Sequence, residues 1–195
     1  MTRRTLAQAT SLYYILPLVA LIFAAALLVE AGMRAGGRKA TAARICLAAM
    51  LVGYLGIYVW LTILYRKTTA EPQTEFRLFW SYREAFSFEG GLHIARLGVA
   101  RQILLNILVY VPLGLLLPIA FRSTKRRWLW PIPVVLALSL ATELTQYLTH
   151  RGLCEPDDVF HNLLGCLLGM GMLCAGTRAM DLFRRRRRAT DEPAE

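Results

Sequence analysis

The sequence predicts an all-α fold: a polytopic membrane helix bundle of about five transmembrane helices, N-terminus out and C-terminus in. Three observations carry this prediction. Of 195 residues, 56% are hydrophobic and 18% charged, and the mean hydropathy is +0.43, far from the balance of soluble domains. The apolar residues gather into runs at Leu12 to Val29, Ile45 to Leu64, Ile103 to Phe121, Trp128 to Leu148 and Val159 to Ala175, each long enough to cross hydrocarbon as a helix. The basic residues, which give a net charge of +10, cluster between the apolar runs, where they orient a membrane protein, although the second connection also holds Arg66, Lys67, Arg77, Arg83, Arg96 and Arg101 among acidic residues; binding of nucleic acid is not implied.

The first run follows Arg3 and Arg4, as a signal peptide would, but it is long for a signal core and no small-x-small cleavage site follows, so it reads as a retained helix. The connection after it carries Arg34, Arg38, Lys39 and Arg44; the one after the third run carries Arg122, Lys125, Arg126 and Arg127; the tail carries Arg178 and Arg184 through Arg188. All fall on one side of a five-helix chain, which the positive-inside rule makes cytoplasmic. The Arg184 to Arg188 run is then a stop-transfer anchor, and Asp191 to Glu195 a disordered end.

Residues 1–66 therefore form two N-terminal helices with a basic cytoplasmic loop, 67–101 an extracytoplasmic interfacial loop, 102–180 a three-helix core and 181–195 a basic, then acidic, cytoplasmic tail. Within the loop, Phe76 to Arg83 mixes aromatic and basic residues in the manner of a headgroup-level segment, and Gly90-Gly91 breaks the chain before the third helix. Of four cysteines, Cys46, Cys166 and Cys174 lie inside apolar runs and Cys154 in a connection; their spacing fits no zinc or redox motif, and all four read as free thiols.

Ionisable and amide groups inside a spanning helix are costly unless partnered, so their positions are informative. At 100° per residue Ser139, Glu143, Gln146 and His150 form one polar stripe on the fourth helix. Asp158, Asn162, Gly165 and Gly169 share a face of the fifth, whose glycines permit close helix approach, within the chain or in a homo-oligomer. Gln102 and Asn106 share a face of the third, ahead of Pro112 and Pro118, where a kink can free carbonyls. In the predicted topology Asn106, Glu143 and Asn162 each lie roughly 6 to 10 Å inside the outer end of their helix, with Arg151, Glu155, Asp157 and Asp158 in the connection above. A single outward-open polar pocket accounts for all of them. Structural glue between helices accounts for amides and hydroxyls, but not for risking the carboxylate of Glu143, whose partner would be Arg151, His150 or Arg101.

Other chemistries are less well supported. Asp157 and His161 have the i, i+4 spacing of a metal pair, but no second histidine is placed to complete a set, so no metal or other cofactor is implied. Ser139 has neither an adjacent histidine base nor a nucleophile elbow, which disfavours a covalent hydrolase. Asp157, behind Pro156 at a helix start, suits a capping role.

These residues also carry a resemblance. Asn106-Ile107-Leu108-Val109-Tyr110-Val111-Pro112-Leu113-Gly114, Glu143-Leu144-Thr145-Gln146, Arg151 and Asp157-Asp158-Val159-Phe160-His161-Asn162-Leu163-Leu164-Gly165 resemble the VanZ-like family of multi-spanning membrane proteins, as does Leu78-Phe79-Trp80-Ser81-Tyr82-Arg83-Glu84 upstream. Glu155 departs from the family pattern, standing where an aspartate is usual. The resemblance implies a cell-envelope role, glycopeptide (teicoplanin) resistance in some members, with no established molecular mechanism. The expectation is a non-enzymatic, multi-pass protein of the cell membrane. Its pocket residues Asn106, Glu143, Gln146, Arg151, Asp157, Asp158 and Asn162 would bind a lipid headgroup or an amphiphilic glycopeptide. The alternatives are an intramembrane enzyme acting on a lipid-linked cell-wall precursor, with Glu143 and Asp158 as acid and base, and a small transporter.

Overall fold

The computed structural model describes residues 3–86 and 93–191. Its elements in chain order are α1 (Arg3–Ala35), α2 (Gly37–Val59) ending in a π turn (Trp60–Leu64), β1 (Gln73–Thr74), α3 (Trp80–Phe86), α4 (His93–Ala120), α5 (Pro131–Thr149), β2 (Leu153–Cys154) and α6 (Pro156–Asp191). Five helices are long and apolar enough to cross a membrane. They correspond to the five apolar runs, so the all-α bundle follows from hydropathy alone.

The helices extend beyond the apolar runs, α1 on to Ala35 and α2 back to Gly37 among them. α1 begins at Arg3, α4 at His93 and α6 continues to Asp191, because arginines and glutamines are good helix formers that hydropathy excludes. Arg101, expected in the loop, is therefore helical, and the interfacial loop is shorter than expected. The arginine run Arg184 to Arg188 continues α6, and of the tail expected to be disordered Asp191 is still helical; 192–195, like the Gly90-Gly91 break, lie outside the described residues. α4 stays helical through Pro112 and Pro118.

α4 is the central helix. Most of its apolar window is buried, 61% against 17–33% for the other four. One apolar cluster joins Val111, Leu115, Leu116 and Ile119 of α4 to Val19, Ala26 and Val29 of α1, Leu47 of α2 and Leu173 of α6. A second joins Tyr110, Leu113 and Leu117 to Tyr54 and Tyr58 of α2, Val135 of α5 and Cys166 and Met170 of α6. Outside, Leu21, Leu28, Val52, Leu140 and Leu168 are exposed, as expected of a surface solvated by lipid chains.

The α4–α6 contact is built on glycine. A Cβ at Gly165 would lie 2.1 Å from the carbonyl oxygen of Ile107, one at Gly169 2.2 Å from that of Val111, and one at Gly114 2.0 Å from that of Cys166. The glycine face of α6 thus makes an internal contact, since only hydrogen fits between backbones so close.

At the basic end of the bundle, Glu30 is buried on α1 and meets three arginines: Arg34 at 3.1 Å, Arg122 at 3.1 Å and Arg127 at 3.3 Å. Arg34 also holds Asp181 of α6 at 2.7 Å. This cluster ties α1, the α4–α5 connection and α6 together. Hydropathy gave no hint of it, because a lone glutamate at the end of an apolar run looks like a boundary.

Candidate functional site

At the opposite end the connections knit together. Gln73 and Thr74 pair in parallel with Leu153 and Cys154, and Thr68 bridges Arg151. The α5–α6 turn forms because His150 adopts a left-handed conformation, φ 55°, and Gly152 another at φ 90°. The Arg151 N–H then donates to the Gln146 carbonyl at 2.9 Å, closing the end of α5. His150 leaves the helix here and drops out of the polar stripe predicted for it.

Beneath these connections lies a cavity of about 290 Å³. Asn106 and Gln102 of α4, Glu143, Gln146 and Thr142 of α5, and Asp158 and Asn162 of α6 line it, with Arg66 after the π turn and Arg101 of α4. Apolar side chains, among them Ile15, Leu61 and Leu105, complete the wall. Asn106, Glu143 and Asn162 thus line one space, but not through equal distance from their helix ends, because α4 begins at His93.

The polar lining is cross-braced between helices. Asn106 Nδ2 donates to Asp158 Oδ1 at 2.5 Å, and Asn162 Nδ2 to Ser139 Oγ at 2.7 Å. Behind them the hydroxyls of Tyr58, Tyr110 and Thr142 are hydrogen-bonded in a buried group. Gln146 Nε2 donates to the Thr62 carbonyl at 2.8 Å, which fixes its Oε1 as a buried acceptor with no partner among the described residues. Glu143 Oε2 accepts the Glu155 N–H at 2.9 Å. None of the three cations considered as its partner forms an ion pair with it among the described residues.

Two residues expected in the pocket sit elsewhere. Arg151 Nη1 reaches the carbonyls of Ile63 and Leu64 at 3.5 and 3.4 Å, capping the C-terminal end of α2, where orphan carbonyls and the helix dipole favour a cation. Asp157 is fully buried and accepts from Phe79 N at 2.7 Å, Ser81 N at 3.3 Å and Ser81 Oγ at 2.7 Å. It thus caps α3, a neighbouring helix, and not its own. His161, the other half of the possible metal pair, turns Nδ1 to Asp158 Oδ1 at 3.4 Å and packs against Tyr82.

Glu155 lies next to the site, against the lining residues Glu143 and Gln102. It is 1% exposed, and burial, followed by the nearby charges of Asp158, Glu143 and Asp157, pushes its carboxyl up to about 8. The Cys154 thiol is raised by burial and by Glu143, which makes it a poor nucleophile. All four cysteines are free.

Arg66 was legible only as a loop charge, and Arg101 only as one possible partner for Glu143. Each lies where an apolar run gives way to polar chain, so hydropathy assigns it to a boundary while the fold turns it inward.

The fold and site define a helical membrane protein with a polar cavity recessed near one end of its bundle. The VanZ/LLP1 family pattern matches residues 51–177, from α2 through most of α6. The chain belongs to that family. It is similar to Protein VanZ of Enterococcus faecium, with 30% identity over 84 residues, 43% of this chain. That match spans about half, 51%, of the length of the curated relative. No solved structure matches the chain.

Proposed function

We propose that this protein is a multi-pass, non-enzymatic component of the cell membrane whose cavity opens to the outer face and binds a lipid headgroup or an amphiphilic glycopeptide. One observation carries the reading: three helices turn Asn106, Glu143, Gln146, Asp158 and Asn162 into one space, together with two arginines. Packing alone does not require carboxylates and guanidiniums in a recess of a membrane bundle, where each is costly. The outward orientation rests on the clustering of basic residues at the opposite end.

Through binding there, the protein would alter the outer surface of the membrane or restrict a drug's access to its lipid-anchored target. Teicoplanin resistance is the phenotype that the likeness to Protein VanZ makes the first to measure. Glu143→Gln keeps size and hydrogen-bonding capacity while removing the charge. In a susceptible host it should abolish the gain in teicoplanin tolerance seen with the unaltered protein, while membrane accumulation stays equal. Full tolerance in that variant would remove the carboxylate from the function.

A further inference from the structure

The cavity contains polar atoms whose requirements are unmet, and together they describe a ligand. Arg101 Nε and Nη2 are sealed from solvent with no acceptor among the described residues. A guanidinium offers a rigid fork of donors, and leaving them unanswered in a low-dielectric recess is costly. Arg66 lines the same cavity, and its side chain crosses Gly152: a Cβ there would lie 3.2 Å from both Arg66 Cδ and Nη1. The same point is 3.6 Å from Gln146 Oε1, so an anion-binding group and an unpartnered acceptor lie side by side.

The two arginines call for an anion with several acceptor oxygens, and Gln146 Oε1 with Glu143 calls for a donor close to it. A phosphate ester bearing a hydroxyl or ammonium group supplies both. At about 290 Å³ the space suits a headgroup and not a whole lipid, and Leu97 and Leu104, on the same helix as Arg101, are 65% and 43% exposed, offering apolar surface to acyl chains.

Building on the reading of this cavity as a headgroup site, we infer that it takes the phosphate of a membrane phospholipid between Arg66 and Arg101, with a hydroxyl or ammonium of the same headgroup on Gln146 and Glu143. Arg66 and Arg101 are then binding residues.

Calorimetric titration of the full chain in detergent tests this, with dihexanoyl phosphatidylglycerol as the probe and dihexanoylglycerol and inorganic phosphate as comparators. The phospholipid should bind saturably, at least tenfold more weakly to Arg101→Gln and to Arg66→Gln, with partial recovery in Arg101→Lys. Dihexanoylglycerol should not bind. Should Arg101→Gln fail to accumulate, Arg66→Gln and Arg101→Lys report the same dependence. Phosphate binding as tight as the phospholipid's would overturn the lipid assignment in favour of a free anion. Unchanged binding in the arginine variants, with loss in Glu143→Gln, would overturn the phosphate assignment and leave the cavity reading standing. Unchanged affinity in all of these variants, or no phospholipid binding by the unaltered protein, would overturn both.

Discussion

At position 155 a carboxyl in a connection is buried, and its proton becomes part of the fold. In the unfolded chain such a group titrates near 4.5; in the folded protein burial and three neighbouring carboxylates raise it to about 8. Between those values the unfolded chain releases a proton that the folded one keeps, so stability falls as pH rises through that window and levels off above it. Glu155→Gln removes the penalty. Its thermal midpoint in detergent should exceed that of the unaltered protein by more at pH 8 than at pH 5, and an equal difference at both would show that Glu155 is not held protonated. Arg151 and Asp157 show where residue-level reading reaches its limit. A charge beside a helix end is predictably a cap, but which of several adjacent ends it caps depends on the path of the connections. That path is set here by a two-residue strand pair, too short to leave an alternating pattern.

At the scale of the element, α4 and α6 are held together by the absence of side chains. Glycines at a four-residue spacing are visible in the sequence, and so is the face they share with Asp158 and Asn162. Their partner is not visible, because a smooth stripe fits a second copy of the chain as well as it fits α4. The close approach to Ile107 and Val111 resolves that choice. Gly165→Ala should destabilise the bundle by about 1–3 kcal/mol through overpacking, seen as a lower melting temperature in detergent. Gly171→Ala is the matched control, because a Cβ there has open space. Equal effects of the two substitutions would mean that the glycine contact does not set helix separation. The five spans themselves were legible because lipid imposes a long apolar run on any helix that crosses it. Their polar extensions were not: Arg96 and Arg101 read as loop by hydropathy while continuing the α4 helix.

Across the whole molecule, charge is divided between two ends. One end gathers basic groups around buried Glu30, with Arg34 reaching it from α1 and Arg122 and Arg127 from the α4–α5 connection. The other closes over a cavity whose cations and carboxylates remain unpaired with one another among the described residues. The first arrangement pairs its charges internally and ties the bundle together; the second is the one for which a ligand is proposed. Helical period put Asn106, Glu143 and Asn162 on polar faces that line one cavity, although α4 starts at His93, so Asn106 lies much further from its helix end than the apolar run implied. It did not suffice to find Arg66, which enters the cavity through the turn after α2 and the glycine at position 152. Everything proposed for the cavity requires it to face outward. With the four native cysteines replaced by alanine, single cysteines at Glu71, exposed in the connection above the cavity, and at Thr124, exposed in the basic connection, can be probed in intact cells with a membrane-impermeant maleimide. Labelling at position 71 without permeabilisation, and at 124 only after it, is the predicted result; the reverse pattern would turn the cavity toward the cytoplasm and contradict the account.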